Sequence, residues 1–355
     1  MSVQPLRVGV VGLGIGRSHL EAFGSLPDLF DVVAVCDLDA SRAEAVAEQF
    51  GVPAIAADFD ALCRRTDLDV IDVCTPPYLH FAQIQQALDT GHHVVCEKPL
   101  VGSLAEVDGL MAAEATAGRR VMPIFQYRFG HGLQKLKRLV EAGVAGQAYL
   151  STVETAWWRG PAYYAIPWRG KWRTELGGTL VSHAIHGHDM LTYVLGPVRS
   201  VFARTATRVN PIETEDCASV SLEMADGSLA SLSVTLGSAV EITRHRFCFA
   251  GLTAESNLRP YTNSHEPWTF TGTSPEADAA IQAVLAAFEP LPERFPGQFY
   301  RLYYALRGDG PAPATLADAR ASLELVTAMY ASARSGEVVT LPLPTDHPLY
   351  GGWLL

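Results

Sequence analysis

Two groups of residues in this chain of 355 have the types and spacing to do chemistry. The first is Gly12, Gly14 and Gly16, which follow the run Val8-Gly-Val-Val11 and precede Ser18-His-Leu-Glu-Ala-Phe23. That order reads as a buried strand, a glycine turn and a helix N-terminus. Such a turn, with Ile15 inside it, brings backbone N–H groups and the positive end of a helix dipole up to a phosphate. The spacing G-x-G-x-G is one residue shorter than the usual G-x-G-x-x-G, so taken alone it also fits a tight turn that binds nothing. The second group is Ser182-His183-Ala-Ile-His186-Gly-His188-Asp189. On a helix, Ser182, His183 and Asp189 would stand three or four residues from His186, on one face. Imidazole titrates near neutral pH, which makes His186 the candidate general base, with Asp189 or His183 in support. His183, His186 and Asp189 at this spacing could also hold a metal ion, but the HExxH pattern is missing and the expectation is none. His188 reads as structural.

The elements that must position these groups alternate through the first third. Leu29–Cys36 reads as a second strand ending at Asp37, 23 residues beyond Gly14. A carboxylate at that offset binds the adenine ribose hydroxyls of a dinucleotide, although Asp is also a favoured helix cap. It repels a 2′-phosphate, so NAD is expected over NADP, with Arg42 close enough to keep NADP open. Helices over Arg42–Phe50 and Phe59–Arg65, a strand over Asp69–Cys74, a helix over Tyr78–Asp89 and a strand over His92–Cys96 follow. Strands alternating with helices predict a doubly wound parallel sheet, the Rossmann arrangement, whose ligands lie at the carboxyl ends of the strands. Gly12–Gly16, Asp37, Thr75-Pro76 and Glu97-Lys98 all fall on that rim.

Thr75-Pro-Pro-Tyr-Leu-His80, then Ala87, Gly91, His93-Val94, Cys96 and Glu97-Lys98-Pro99, resemble the Gfo/Idh/MocA oxidoreductase family, whose pattern is a TP…H segment followed by GKHV…EKP. The resemblance implies that Lys98 hydrogen-bonds the reacting hydroxyl and the nicotinamide side of the cofactor, and that Thr75, Pro76, His80 and Glu97 serve the cofactor. An ammonium there suits a developing alkoxide. Gln126-Tyr127-Arg128-Phe129 resembles the family's N/Q-Y-R-F segment, which gives Gln126 to the cofactor and Tyr127 and Arg128 to the substrate. At Gly177-Gly178-Thr-Leu-Val-Ser182-His183-Ala184 the family usually reads GG-x-L-x-D-x-G; aligned on His186 and Asp189, Ser182 replaces its aspartate and Ala184 its glycine. A serine can orient a ligand but is a poor base.

The remaining two thirds read as an α+β domain with a large, mostly antiparallel open sheet. A strand over Arg120–Phe125 and a helix over Leu133–Ala142 lead to strands at Gln147–Thr155, Val198–Val209, Cys217–Met224 and Ser228–Leu236, the last two joined by an Asp226-Gly227 hairpin signal. Trp157-Trp158-Arg159, Tyr163-Tyr164 and Pro167-Trp168-Arg169-Gly-Lys-Trp-Arg173 concentrate aromatic and guanidinium groups that stack on sugar C–H faces and donate to hydroxyls, with Trp168 and Arg169 foremost; an aromatic subunit interface favours the same residues. Helices are expected over Asp278–Phe288 and Thr315–Ser335, and a strand over Val338–Leu343. The expected domains are a dinucleotide-binding domain over 1–124 and a substrate-binding and oligomerisation domain over 125–355, with the helix around 315–335 packing back on the first.

With 48% hydrophobic residues, 18% charged and a net charge of −11, the chain can bury a sizeable core but is a poor partner for nucleic acid or an anionic membrane. No apolar run is long enough to span a bilayer and no secretory signal is seen. The six cysteines show no metal spacing and fit a reducing cytoplasm. The chain reads as an NAD(P)-dependent dehydrogenase acting on a hydroxyl of a sugar, cyclitol or related polyol. It carries Lys98, His186 and Asp189 as catalytic residues and Ser182, His183 and His186 near the substrate, in a homo-oligomer (dimer or tetramer) built through the open sheet. Two alternatives stand beside it: a glycoside-cleaving enzyme that oxidises its substrate transiently, and a cofactor-binding sensor without turnover.

Overall fold

The computed structural model describes residues 4–354. They form two units, the first holding residues up to Phe125 together with Phe295–Arg320, the second Gln126–Arg294 and the chain from Ala321 onward.

In the first unit five parallel strands, β1 (Leu6–Val11), β2 (Phe30–Cys36), β3 (Val70–Val73), β4 (His93–Cys96) and β5 (Val121–Pro123), lie in the order β2-β1-β3-β4-β5. Val8, Val10, Val35, Val70, Ile71 and Val95 are wholly buried, as strands covered on both faces require. Helices cross over between them, capped where the sequence supplies an acceptor: Asp39, Asp58 and Ser103 each accept from a backbone N–H of the first turn. The cap of the helix after β2 is therefore Asp39, which leaves Asp37 for other work. The helix over Tyr78–Asp89 opens as a 3₁₀ turn at Pro77–Leu79 and becomes α-helical from His80. Helix Arg294–Leu306 has no periodic signal at its start because Pro296 and Gly297 stand in its first turn. Its Phe299 stacks on Phe23 at 4.1 Å.

The second unit is built on eight strands: β6 (Ala148–Trp158), β7 (Val198–Ala206), β8 (Cys217–Met224), β9 (Leu229–Thr235), β10 (Gly237–Phe249), β11 (Leu252–Glu255), β12 (Thr269–Gly272) and β13 (Val339–Thr340). Their order is β12-β11-β10-β6-β9-β8-β7-β13, antiparallel except for the parallel pair β6–β9. The Asp226-Gly227 turn joins β8 to β9, with Gly227 at φ +86° and Ser228 N–H donating to Asp226. β10 is long yet poorly marked in the sequence, because the charged residues Glu241, Arg244 and Arg246 dilute its apolar pattern until Phe247 and Phe249. Helices run over Pro275–Ala286 and Leu316–Ser335, the latter capped by Thr315 Oγ1.

The single helical face expected from Ser182 to Asp189 does not form. The segment from Gly178 to Leu195 is two helices, Thr179–Ser182 and Ile185–Leu195, broken at His183-Ala184. Ser182 donates its hydroxyl to the Gly178 carbonyl at 2.8 Å, and His183 leaves helical geometry at φ −121°, ψ −57°. Ser182 and His183 consequently do not share one continuous helical face with His186 and Asp189.

Candidate active site

In the first unit, the glycine turn grows directly from β1. Gly12 has φ +88°, and a Cβ there would lie 2.6 Å from the Cys74 backbone, so only glycine lets β1 and β3 end this close together. Around Gly14 there is open space where a Cβ would be, Ile15 is half exposed, and helix Gly16–Gly24 begins with no side-chain cap. Asp37 closes the turn from β2, accepting from Leu13 N–H at 2.7 Å and Asp39 N–H at 2.9 Å, with Arg42 donating at 3.0 Å. An open backbone cradle, an uncapped helix end and a fixed carboxylate fit a dinucleotide's pyrophosphate and ribose.

Next along the rim are the β3 and β4 ends. Thr75 donates its hydroxyl to Gln83, and His80, fully buried, joins the two loops: Nε2 lies 2.8 Å from the Thr75 carbonyl and Nδ1 2.9 Å from that of Pro99. Glu97 faces inward. Its Oε2 accepts from Lys98 N–H at 2.9 Å and its Oε1 meets Nε2 of His19 at 3.1 Å. His19 Nδ1 in turn contacts Asp72 at 2.8 Å and Cys74 Sγ at 3.3 Å, under Phe295 and Phe299. Burial alone would push His19 down, but Asp72 lifts it well above its ordinary value. Burial likewise opposes ionisation of Glu97, and the His19 hydrogen bond and charge bring it down to about 2. A buried imidazolium thus bridges two carboxylates behind Lys98. His19, Asp72 and Cys74 are close enough to grip a cation, but the ring is already drawn to Asp72 and Glu97.

In the second unit, Gln126 is buried with an amide oxygen that meets no hydrogen-bond donor among the described residues. Tyr127 stacks on His186 with centroids 4.3 Å apart and planes 9° from parallel. Arg128 grips Asp189 through two nitrogens at 2.5–3.1 Å, with both side chains buried. The pair locks the Gln126–Phe129 turn to helix Ile185–Leu195. His183 has both ring nitrogens engaged: Nδ1 lies 2.7 Å from Ser182 Oγ, and Nε2 accepts from Arg159 Nε at 3.2 Å. Arg159 also reaches Glu241 at 3.0 Å and Tyr261, and lies over the Trp157 and Tyr163 rings. Trp168 and Arg169 form a nest of their own, the guanidinium over the Trp168 and Tyr163 rings and 3.6 Å from Glu175. For a cation held by His183, His186 and Asp189, a guanidinium would sit on two of the three donors.

A family model described as an oxidoreductase family with an NAD-binding Rossmann fold matches residues 6–125, and the GFO/IDH/MocA C-terminal domain matches 133–253. The oxidoreductase YrbE of Bacillus subtilis is 30% identical over 262 residues, 72% of this chain and 74% of that one. The chain belongs to the Gfo/Idh/MocA family of oxidoreductases. The D-glucoside 3-dehydrogenase of Escherichia coli is 32% identical over 59% of this chain and 60% of its own length. The WlbA dehydrogenase of Bordetella pertussis, solved with NADH and UDP-GlcNAcA, superposes with a TM-score of 0.85 at 29% identity, covering 96% of this chain and 100% of that one.

Within this Gfo/Idh/MocA oxidoreductase the N-terminal domain is NAD-binding. The paired glycines of the second unit have a local cause: a Cβ on Gly178 would strike the Glu215 carbonyl, and one on Gly177 would lie 2.7 Å from the Tyr330 hydroxyl. His19, Asp72, Glu215 and Tyr330 carry no signal of role in the sequence, and Arg159 stands out there only as part of an aromatic and basic segment, not as the partner of His183. Each acts through a partner 24 to 115 residues away, beyond the reach of any periodicity.

Proposed function

We propose that the protein is an NAD(P)-dependent dehydrogenase that oxidises a CH–OH group of a sugar, cyclitol or related polyol, or reduces the corresponding ketone. A bound nicotinamide dinucleotide, with NAD preferred, supplies the hydride acceptor. His186 takes the hydroxyl proton, its ring held by Tyr127, and the Lys98 ammonium stabilises the developing alkoxide. Gly12, Gly14, Ile15, Gly16 and Asp37 seat the cofactor, with Thr75, Pro76 and Gln126 along the same ligand, while His80 and Glu97 position the rim. Asp189 holds Arg128 and thereby the Gln126–Phe129 turn. Trp168, Arg169, Ser182 and His183 shape the substrate side. The first unit serves the cofactor and the second the substrate.

The observation that carries this reading is the shared edge of Gly14, Asp37 and Lys98 on a parallel sheet. Similarity to a D-glucoside 3-dehydrogenase and to a dehydrogenase bound to UDP-GlcNAcA supports the substrate class. A homo-oligomer joined through the open sheet, where exposed Leu150 lies beside exposed Leu229, and a reducing cytoplasm suited to six unpaired thiols fit the same reading. Among the described residues no helix is long and apolar enough to cross a membrane.

The test is a panel of sugars, cyclitols and polyols followed by nicotinamide absorbance with NAD and with NADP. Reduction of the nicotinamide that is lost in Lys98→Ala and in His186→Ala is expected. Sugar release without accumulation of NADH would instead identify transient oxidation, and unchanged function in Lys98→Ala would identify a sensor.

A further inference from the structure

Glu215 lies fully buried just before β8, and it holds three consecutive amides of the turn that leads into the His183–His186 segment. Its Oε2 accepts from Gly178 N–H at 3.1 Å, its Oε1 from Leu180 N–H at 3.0 Å, and its carbonyl from Thr179 N–H at 2.9 Å. Helix Thr179–Ser182 has no cap of its own, so a carboxylate 35 residues downstream performs that task. Tyr330, on helix Leu316–Ser335, donates its hydroxyl to Glu215 Oε1 at 2.9 Å and accepts from Gly178 N–H at 3.2 Å. Burial raises Glu215 to about 7 against the pull of these donors.

The C-terminal tail completes the arrangement. Trp353 packs its ring 5.0 Å from that of Tyr330, donates Nε1–H to Thr327 at 3.1 Å, and accepts at its carbonyl from Arg334 at 2.6 Å. Trp172 contacts the Tyr330 ring at 5.3 Å. Beyond the clamp the connections run on toward the chemistry: Gly178 carbonyl to Ser182 hydroxyl, Ser182 to His183, and Ala184 N–H to the Thr179 carbonyl, where helix Ile185–Leu195 begins.

We propose that Glu215 and Tyr330, backed by Trp353, are positioning residues that set the Gly178–His186 segment and through it the place of His186. The proposal rests on the reading of His186 as the base. An isolated four-residue helix does not hold itself, so its geometry is decided by the groups that bind its end. Neither residue touches the reacting atoms.

The experiment uses the full-length protein and the isosteric variant Tyr330→Phe. Hydrogen exchange read by mass spectrometry should speed up about tenfold in peptides covering residues 177–186 when the hydroxyl that bonds both Glu215 and Gly178 N–H is lost, while β6 and β9 keep their protection. With a sugar found by the panel, kcat should fall about tenfold with the Michaelis constant for NAD unchanged. Glu215→Gln should give the same local loosening, and the double variant should be no worse than Glu215→Gln alone, because both act on one clamp. Exchange in 177–186 like that of the unsubstituted protein, or a rise spread evenly through the second unit, overturns the proposal. If Glu215→Gln does not fold, Tyr330→Phe alone decides. If no sugar is turned over, or if His186→Ala keeps its activity, the functional reading falls and the exchange result still judges the clamp.

Discussion

Arg159 donates its Nε–H to Nε2 of His183 at 3.2 Å, while Ser182 occupies the other ring nitrogen at 2.7 Å. A histidine whose lone pair already accepts from a guanidinium is poorly placed to take a proton. His186 lies one helix further on, its ring stacked on that of Tyr127. We expect His186→Ala to lower kcat by about a hundred- to ten-thousandfold, the range for removal of a general base. His183→Ala should cost far less, mainly through a loosened Arg159. Steady-state kinetics of both variants checks this, and a larger loss in His183→Ala would reverse the assignment.

The His19 ring, drawn toward its charged form by Asp72, pairs with buried Asp72 and also with Glu97. Replacing it strands two carboxylates away from water. His19→Leu is expected to lose about 3–5 kcal/mol of folding stability, as for other buried pairs broken on one side. The Glu97-Lys98 turn should loosen with it. Urea unfolding measures the first effect and NAD binding by calorimetry the second.

Asp37 both anchors the glycine turn at Leu13 and pairs with Arg42. In Asp37→Ser the carboxylate that repels a 2′-phosphate is gone, and Arg42, still paired with Asp39, loses one of its two acidic partners and is freer to meet that phosphate. Catalytic efficiency with NAD should fall about tenfold, the loss of a charge-assisted hydrogen bond, while the ratio of NADP to NAD efficiency rises. An unchanged ratio would place cofactor choice elsewhere.

Acid should unfold the protein through its buried histidines. Burial, with the neighbouring His245, pulls His188 down to about 3; burial pulls His245 down to about 4 against its hydrogen bond to the Gly187 carbonyl. In the unfolded chain both bind a proton near pH 6.5, whereas in the folded protein they stay neutral. Stability from this source is therefore complete above pH 6.5 and falls as pH drops toward 4, by up to about 1.4 kcal/mol per pH unit for each ring. Thermal midpoints across pH 4–7.5 follow the trend, and His245→Asn should flatten it.

The cofactor half was legible in the sequence because its signals are local. Val8–Val11, the three glycines and the strand-ending Asp37 are contiguous or regularly spaced, and a parallel sheet brings strand ends to one rim without further instruction. The Asp226-Gly227 hairpin could be read for the same reason. The Ser182–Asp189 segment was only partly legible. Helical spacing from Ser182 to Asp189 suggested one face, but the Ser182 hydroxyl competes for the Gly178 carbonyl and the helix breaks at His183. Arg128 pairs with Asp189, a partner that its motif does not record.

By itself the sequence determined the periodic elements, the order of the parallel strands' loops and the identity of the residues that gather there, since each depends on neighbours a few positions away. Only the tertiary structure decided which charges meet. His19 finds Asp72 and Glu97, Arg159 finds His183, and Glu215 finds Gly178 and Tyr330 across long stretches of chain. The physical reason is that a buried polar group must be satisfied by whatever the fold brings beside it, and no spacing along the chain records that partner.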